Sequence, residues 1–154
     1  MSASPKRPTF GSSVCYADPM AALDWLEKAF GFERSMVITD AEGKLAHAEM
    51  SFGDGYIMVG WQWADFVATP ADVGGKNTQN IHVHLDQDID ADCARAEAAG
   101  AAVLQPPQDQ FYGDRTYRAR DIGGHVWTFG QTVKVMAPEE WDKAMPGLTT
   151  KMYK

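Results

Sequence analysis

The stretch Phe111 to Gln131, FYGDRTYRARDIGGHVWTFGQ, decides how the chain is read. Arg115 to Asp121 carries Thr and Tyr between arginines, and His125 to Val133 is rich in Val, Trp, Thr and Phe. Both compositions suit strands. Between them lies Asp121-Ile122-Gly123-Gly124, and Gly-Gly between two such runs signals a tight hairpin, whose turn needs positive φ. His47 to Gln62, HAEMSFGDGYIMVGWQ, has the same form around Gly53-Asp54-Gly55. Two like hairpins separated by about 70 residues predict one unit written twice.

Each hairpin completes a βαβββ unit. In the first, Phe10 to Ala17 is a strand, and Asp18-Pro19 starts a helix as N-cap and first helical residue. Ala22, Trp25, Leu26, Ala29 and Phe30 give that helix one apolar stripe, and Gly31 ends it. Glu33 to Thr39, Lys44 to Phe52 and Tyr56 to Gln62 are the remaining strands. Trp63 to Thr78, with Pro70, Gly74, Gly75 and Asn77, is a linker or mobile loop. In the second unit Asn80 to Asp86 is a strand, Asp88 to Ala99 a helix ending at Gly100, and Ala102 to Gln105 a short strand. Pro106-Pro107 then opens a loop to Gly113, ahead of the hairpin. Ala137-Pro138-Glu139-Glu140 begins a last helix that stops near Pro146. The division expected is a single domain over 1–154, with units at about 9–62 and 79–135, a connector over 63–78 and a C-terminal helix at about 137–146.

At 154 residues the chain can bury a sizeable core. No apolar run approaches the ~20 residues that span a bilayer, and Met1 to Pro8 reads as a frayed polar lead-in. Cys15 and Cys93 make no disulfide framework and no Cys-x-x-Cys, so a reducing cytoplasm is expected. The net charge of -7 argues against non-specific binding to nucleic acid or anionic membranes.

The segments YGDRTYRARDIGGHVWTFG and HAEMSFGDGYIMVG, with the paired units and Gly-ending helices, resemble the vicinal oxygen chelate superfamily of glyoxalases, extradiol dioxygenases and bleomycin-resistance proteins. The resemblance covers about Thr9 to Val133. It implies an α+β fold of two curved half-barrel sheets with helices on the outer face, each sheet enclosing a cavity usually completed in a homodimer. It also implies metal-ligand places on the first and last strands of each unit. Those places fall on Gly11, Asn80, Val59 (or Met58 if the register slips by one) and Thr128. None is a strong ligand for a divalent ion, so neither a metal site nor any other cofactor is expected.

Strand alternation predicts what faces the cavity instead. Ile81, Val83 and Leu85 face the helix, leaving Asn80, His82 and His84. Ala46, Ala48, Met50 and Phe52 face the helix, leaving His47, Glu49 and Ser51. Repeat symmetry matches Glu49 with Arg118 and His47 with Thr116. The last strands add Trp61 and Thr128, with Trp127 and Phe129 in the core. The expected ligand-binding set is therefore His47, Glu49, Trp61, Asn80, His82, His84, Arg118 and Thr128. Taken singly, His47 and His84 read as hydrogen-bonded wall residues, His125 as a turn residue, and Arg115, Arg118 and Arg120 as one solvated row. A paired Glu49 and Arg118 would leave the cavity without an anionic preference. Three functions fit, in this order: a metal-free small-molecule binding protein of the resistance or sequestration type; a metal-free lyase, isomerase or dioxygenase relative with a histidine base and Arg118 stabilising an anion; and a metal enzyme using His47, Glu49, His82 and His84. The partners expected are a small-molecule ligand and a second copy of the chain.

Overall fold

The computed structural model describes residues 6–153. The first five residues of the lead-in read over Met1 to Pro8 lie outside them. Helix α1 (Pro19–Phe30) follows β1 (Ser12–Cys15), and its limits are chemical. The Asp18 carboxylate accepts from the Ala21 amide at 3.1 Å, and Gly31, at φ 72°, donates to the Glu27 carbonyl at 3.1 Å. Strands β2 (Glu33–Thr39), β3 (Leu45–Phe52) and β4 (Gly55–Gly60) complete the first unit. The second repeats it as β5 (Ile81–His84), α2 (Ile89–Ala98), β6 (Ala102–Asp109), β7 (Asp114–Arg120) and β8 (Val126–Thr132). A final helix, α3 (Pro138–Ala144), follows.

The half-barrels do not form. There are two open four-stranded mixed sheets, ordered β1-β4-β3-β2 and β5-β8-β7-β6, and neither closes nor curls. Small closed barrels take about eight strands, so that interior side chains fill the space; four leave two edges each. The first strand of each unit pairs parallel with the last, Val14 opposite Val59 and Val83 opposite Phe129.

A bulge and a proline pair also depart from expectation. Ile38 pairs with His47 but Thr39 with Leu45, so Ala46 is the extra residue. The phase flips there: Leu45 is buried and Ala46 exposed, the reverse of strict alternation. On the other sheet, β6 runs through Pro106-Pro107 as far as Asp109 instead of stopping at Gln105. It is an edge strand broken by register shifts, which is where proline is tolerated.

One contiguous core unites both units. α1 and α2 touch, and Phe30 at the end of α1 packs on Trp127 and Phe129 of β8 at ring-centroid distances of 5.3 and 4.8 Å. Leu23 joins the buried stripe, while Trp25 lies at its margin and donates from Nε1 to the Ala99 carbonyl at 2.8 Å.

The Asp121 hairpin turn is bonded to the first unit. Asp121 is buried and accepts four hydrogen bonds: from Tyr16 Oη at 2.6 Å, and from Trp127 Nε1 and the Gly123 and His125 amides at 2.9 Å each. His125 Nε2 lies 2.6 Å from the Cys15 carbonyl. The two turn glycines have different reasons. Gly124 sits at φ 89°, whereas a Cβ on Gly123 would come within 2.5 Å of the Tyr16 ring. The second half of the connector docks here. Asn77 Nδ2 donates to the Gly124 carbonyl at 3.1 Å, its Oδ1 accepts from the Val126 amide at 3.0 Å, and Arg120 Nη1 reaches the Gly75 and Gly124 carbonyls at 3.1 and 2.9 Å. α3 lies at the opposite turn, where Trp141 Nε1 donates to the Tyr112 carbonyl at 3.1 Å.

Candidate functional site

The eight residues expected around one cavity fall into separate groups. On β3, alternation past the bulge turns His47 and Glu49 away from the helix side, while Ala48 and Met50 enter the core. Glu49 meets a residue the sequence reading missed. Arg7 places Nη2 2.6 Å from both Glu49 oxygens, and His47 Nε2 lies 3.2 Å from Oε1. The Arg7 guanidinium, and secondarily His47, hold the Glu49 carboxyl below its ordinary range. Arg7 also stacks 5.1 Å from the centre of the Tyr56 ring. Within a segment read as frayed, nothing local marks one arginine as the partner of a glutamate 42 residues away.

Trp61 stands apart. It lies just past β4, with Lys44 Nζ 4.3 Å above its ring, a cation–π contact.

The second sheet carries a cross-strand row. Register aligns His82 on β5 with Thr128 on β8, Thr128 with Arg118 on β7, and Arg118 with Gln105 on β6. Residues opposed in this way share a face. Arg118 Nε donates to Thr128 Oγ1 at 3.1 Å. Next in register are His84, Gly130 and Thr116, and Thr116 Oγ1 accepts from Gln105 and Gln110 at 3.2 and 2.9 Å. Gly130 lacks a side chain, and the His82 ring occupies that space: a Cβ there would stand 3.0 Å from Nε2. Asn80 is exposed and precedes β5. Arg115 does not belong to an arginine row. Three residues from Arg118, it falls on the opposite face, bonded to Asp90 of α2 at 3.0 Å and Asp109 at 3.1 Å.

Between the units opens a cleft of about 1270 Å³. One wall is the β3–β4 turn with Tyr56; the other is β5, with His82 and His84, and the start of α2. His47, Glu49 and Arg118 do not line it, and no hydrogen bond among the described residues joins the Glu49 group to the Arg118 row.

The register also decides between Met58 and Val59 among the ligand places implied by the resemblance. Met58 opposes Glu49 as Thr128 opposes Arg118, so the first unit's last-strand place is Met58; Val59 is core. At Gly11 any Cβ would strike the Tyr56 ring at 2.3 Å. Among the described residues no three His, Cys, Asp or Glu gather into a cluster able to hold a metal ion, and the set His47, Glu49, His82 and His84 is not assembled. Cys15 and Cys93 are buried and free, with both thiols pushed up by burial.

Comparison with known proteins agrees with this architecture. The profile of the Glyoxalase/Bleomycin resistance protein/Dioxygenase superfamily matches residues 12–129. An uncharacterized protein of Mycobacterium bovis is 30% identical over 143 residues, covering 90% of this chain and 92% of its own. Among solved structures, TioX from Micromonospora sp. ML1 is 34% identical with a TM-score of 0.65, over 79% of this chain and 96% of that one. TnmS3, an antibiotic binding protein from Streptomyces sp. CB03234, shares the fold at 23% identity and a TM-score of 0.61, over 86% and 98%. The chain belongs to the glyoxalase/bleomycin resistance protein/dioxygenase superfamily.

Proposed function

We propose that the protein binds a small organic molecule without metal chemistry, in a sequestering or resistance role, and that it does so as a homodimer. The reading is carried by the residues at the four ligand places. Gly11, Met58, Asn80 and Thr128 offer no imidazole and no carboxylate, whereas a divalent ion needs several such donors converging on one point. The side chains around those places are suited to recognition: the row of His82, Thr128, Arg118 and Gln105, and the cleft edged by His82 and His84. The fold shared with an antibiotic binding protein supports the same kind of role.

Dimerisation is supported by the open edges. β2 is exposed along its length and carries Met36, Val37 and Ile38 at 39, 40 and 48% exposure; β6 at the other edge exposes Leu104. Unpaired apolar edges call for cover.

The test combines metal analysis with thermal shift. Protein purified without chelators is expected to hold far less than one equivalent of Zn, Ni, Mn or Fe, and its Tm should not rise when these ions are added. Library compounds that bind the native state should raise it, and His82→Ala should weaken their binding while keeping the fold. Stoichiometric metal that disappears in His47→Ala would replace this reading with a metal enzyme.

A further inference from the structure

We infer that the exposed face of the second sheet receives an anionic group, a carboxylate or phosphate on an organic ligand, in the fork of Arg118. The inference rests on the small-molecule reading above and names the ligand's charge. The expectation that Glu49 and Arg118 would balance one another fails, because Glu49 has its own arginine in Arg7, 2.6 Å away. Arg118 is left over. Every other arginine among the described residues has an oxygen acceptor of carboxylate or carbonyl type. Arg34 pairs with Asp24 and Glu27, Arg95 with Asp92, Arg115 with Asp90 and Asp109, and Arg120 with two backbone carbonyls. Arg118 has only the Thr128 hydroxyl, through Nε. That bond orients the guanidinium and leaves both Nη groups, a planar fork matched to carboxylate and phosphate, open to a ligand.

The surroundings fit an anion. Among the described arginines, a guanidinium with neither a carboxylate nor a carbonyl acceptor is the exception. The neighbours in its row, Thr128, His82 and Gln105, carry no negative charge. Asp114, four residues before Arg118 at the start of β7, accepts from the Thr132 hydroxyl at 2.8 Å. The field of Arg118 reaches the Tyr112 hydroxyl, where it opposes the upward push of burial and of Asp114.

The test is an NMR titration of the ¹⁵N-labelled protein with benzoate, phenyl phosphate, benzamide and benzylammonium, following the amides of His82, Arg118 and Thr128. Benzoate or phenyl phosphate should shift these amides saturably, and the tighter of the two identifies the anion. Benzamide and benzylammonium should bind at least ~10-fold more weakly, the scale of a charge-assisted hydrogen bond. Arg118→Gln should reduce the anions to the affinity of benzamide with its melting temperature unchanged, and Arg118→Lys should restore part of the loss. Equal binding by charged and neutral probes, or anion affinity unaltered in Arg118→Gln, overturns the anion inference and leaves the small-molecule reading standing. No response to any of the four overturns both for this face.

Discussion

At the scale of single residues, the Arg7–Glu49 pair makes a prediction with a definite sign. The Glu49 carboxyl titrates below its ordinary value of 4.5 because Arg7, and less strongly His47, hydrogen-bond its ionised form. A depressed acid stabilises the fold above its unfolded value, and that contribution is lost as the pH falls through the lowered one. NMR titration of the Glu49 side chain should therefore give a midpoint under 4.5, moving up in Arg7→Ala. An identical titration in that variant would count against the pair. Asp121 makes a second prediction. Its bond from Tyr16 is 2.6 Å long and buried, so Tyr16→Phe should cost about 1–2 kcal/mol in denaturant unfolding. A loss below about 0.5 kcal/mol would mean that the hydroxyl contributes little there. That His82, Thr128 and Arg118 share one face was legible in the sequence, from alternation for His82 and from repeat symmetry for Arg118. Their partners were not. Arg7 and Tyr16 meet Glu49 and Asp121 only when distant segments pack, at separations of 42 and 105 residues.

At the scale of elements, local chemistry declared the ends of both helices and the positions of the hairpins. Asp18 and Gly31 bound α1 as expected. What escaped was any feature that adds one residue to a ladder. Ala46 bulges, so Leu45 rather than Ala46 turns inward; Pro106-Pro107 reads as a loop because proline ends central strands, yet here it lies on an edge. The Gly124 turn can be tested directly. A β-branched side chain at φ 89° should strain the backbone by ~1 kcal/mol or more, so Gly124→Val should melt below the wild type. Cys93→Ala, within α2, should be mild by comparison. Equal melting temperatures for Gly124→Val and the wild type would mean that the turn relaxes without cost.

At the scale of the whole molecule, the open sheets change the argument for a dimer without removing it. The resemblance implied curved half-barrels, each cavity completed by a second copy; the structure has open sheets instead, with the edge strand β2 exposed throughout. Light scattering at micromolar concentration should report about twice the 16.9 kDa of one chain, and a mass near 16.9 kDa would refute the dimer. The connector carries a different consequence. Its second half is fastened to the later hairpin through Asn77, Gly75 and the packing of Pro70 against Gly124. The duplicated halves are therefore not divided where their sequences cease to match. Were the chain to be split into two fragments for reassembly, a cut after Thr78 would leave the Val126 amide and the Gly124 turn without the partners they have in the intact chain. A cut before Thr69 would send the fastened segment with the half it serves, and that is where the protein's natural seam lies.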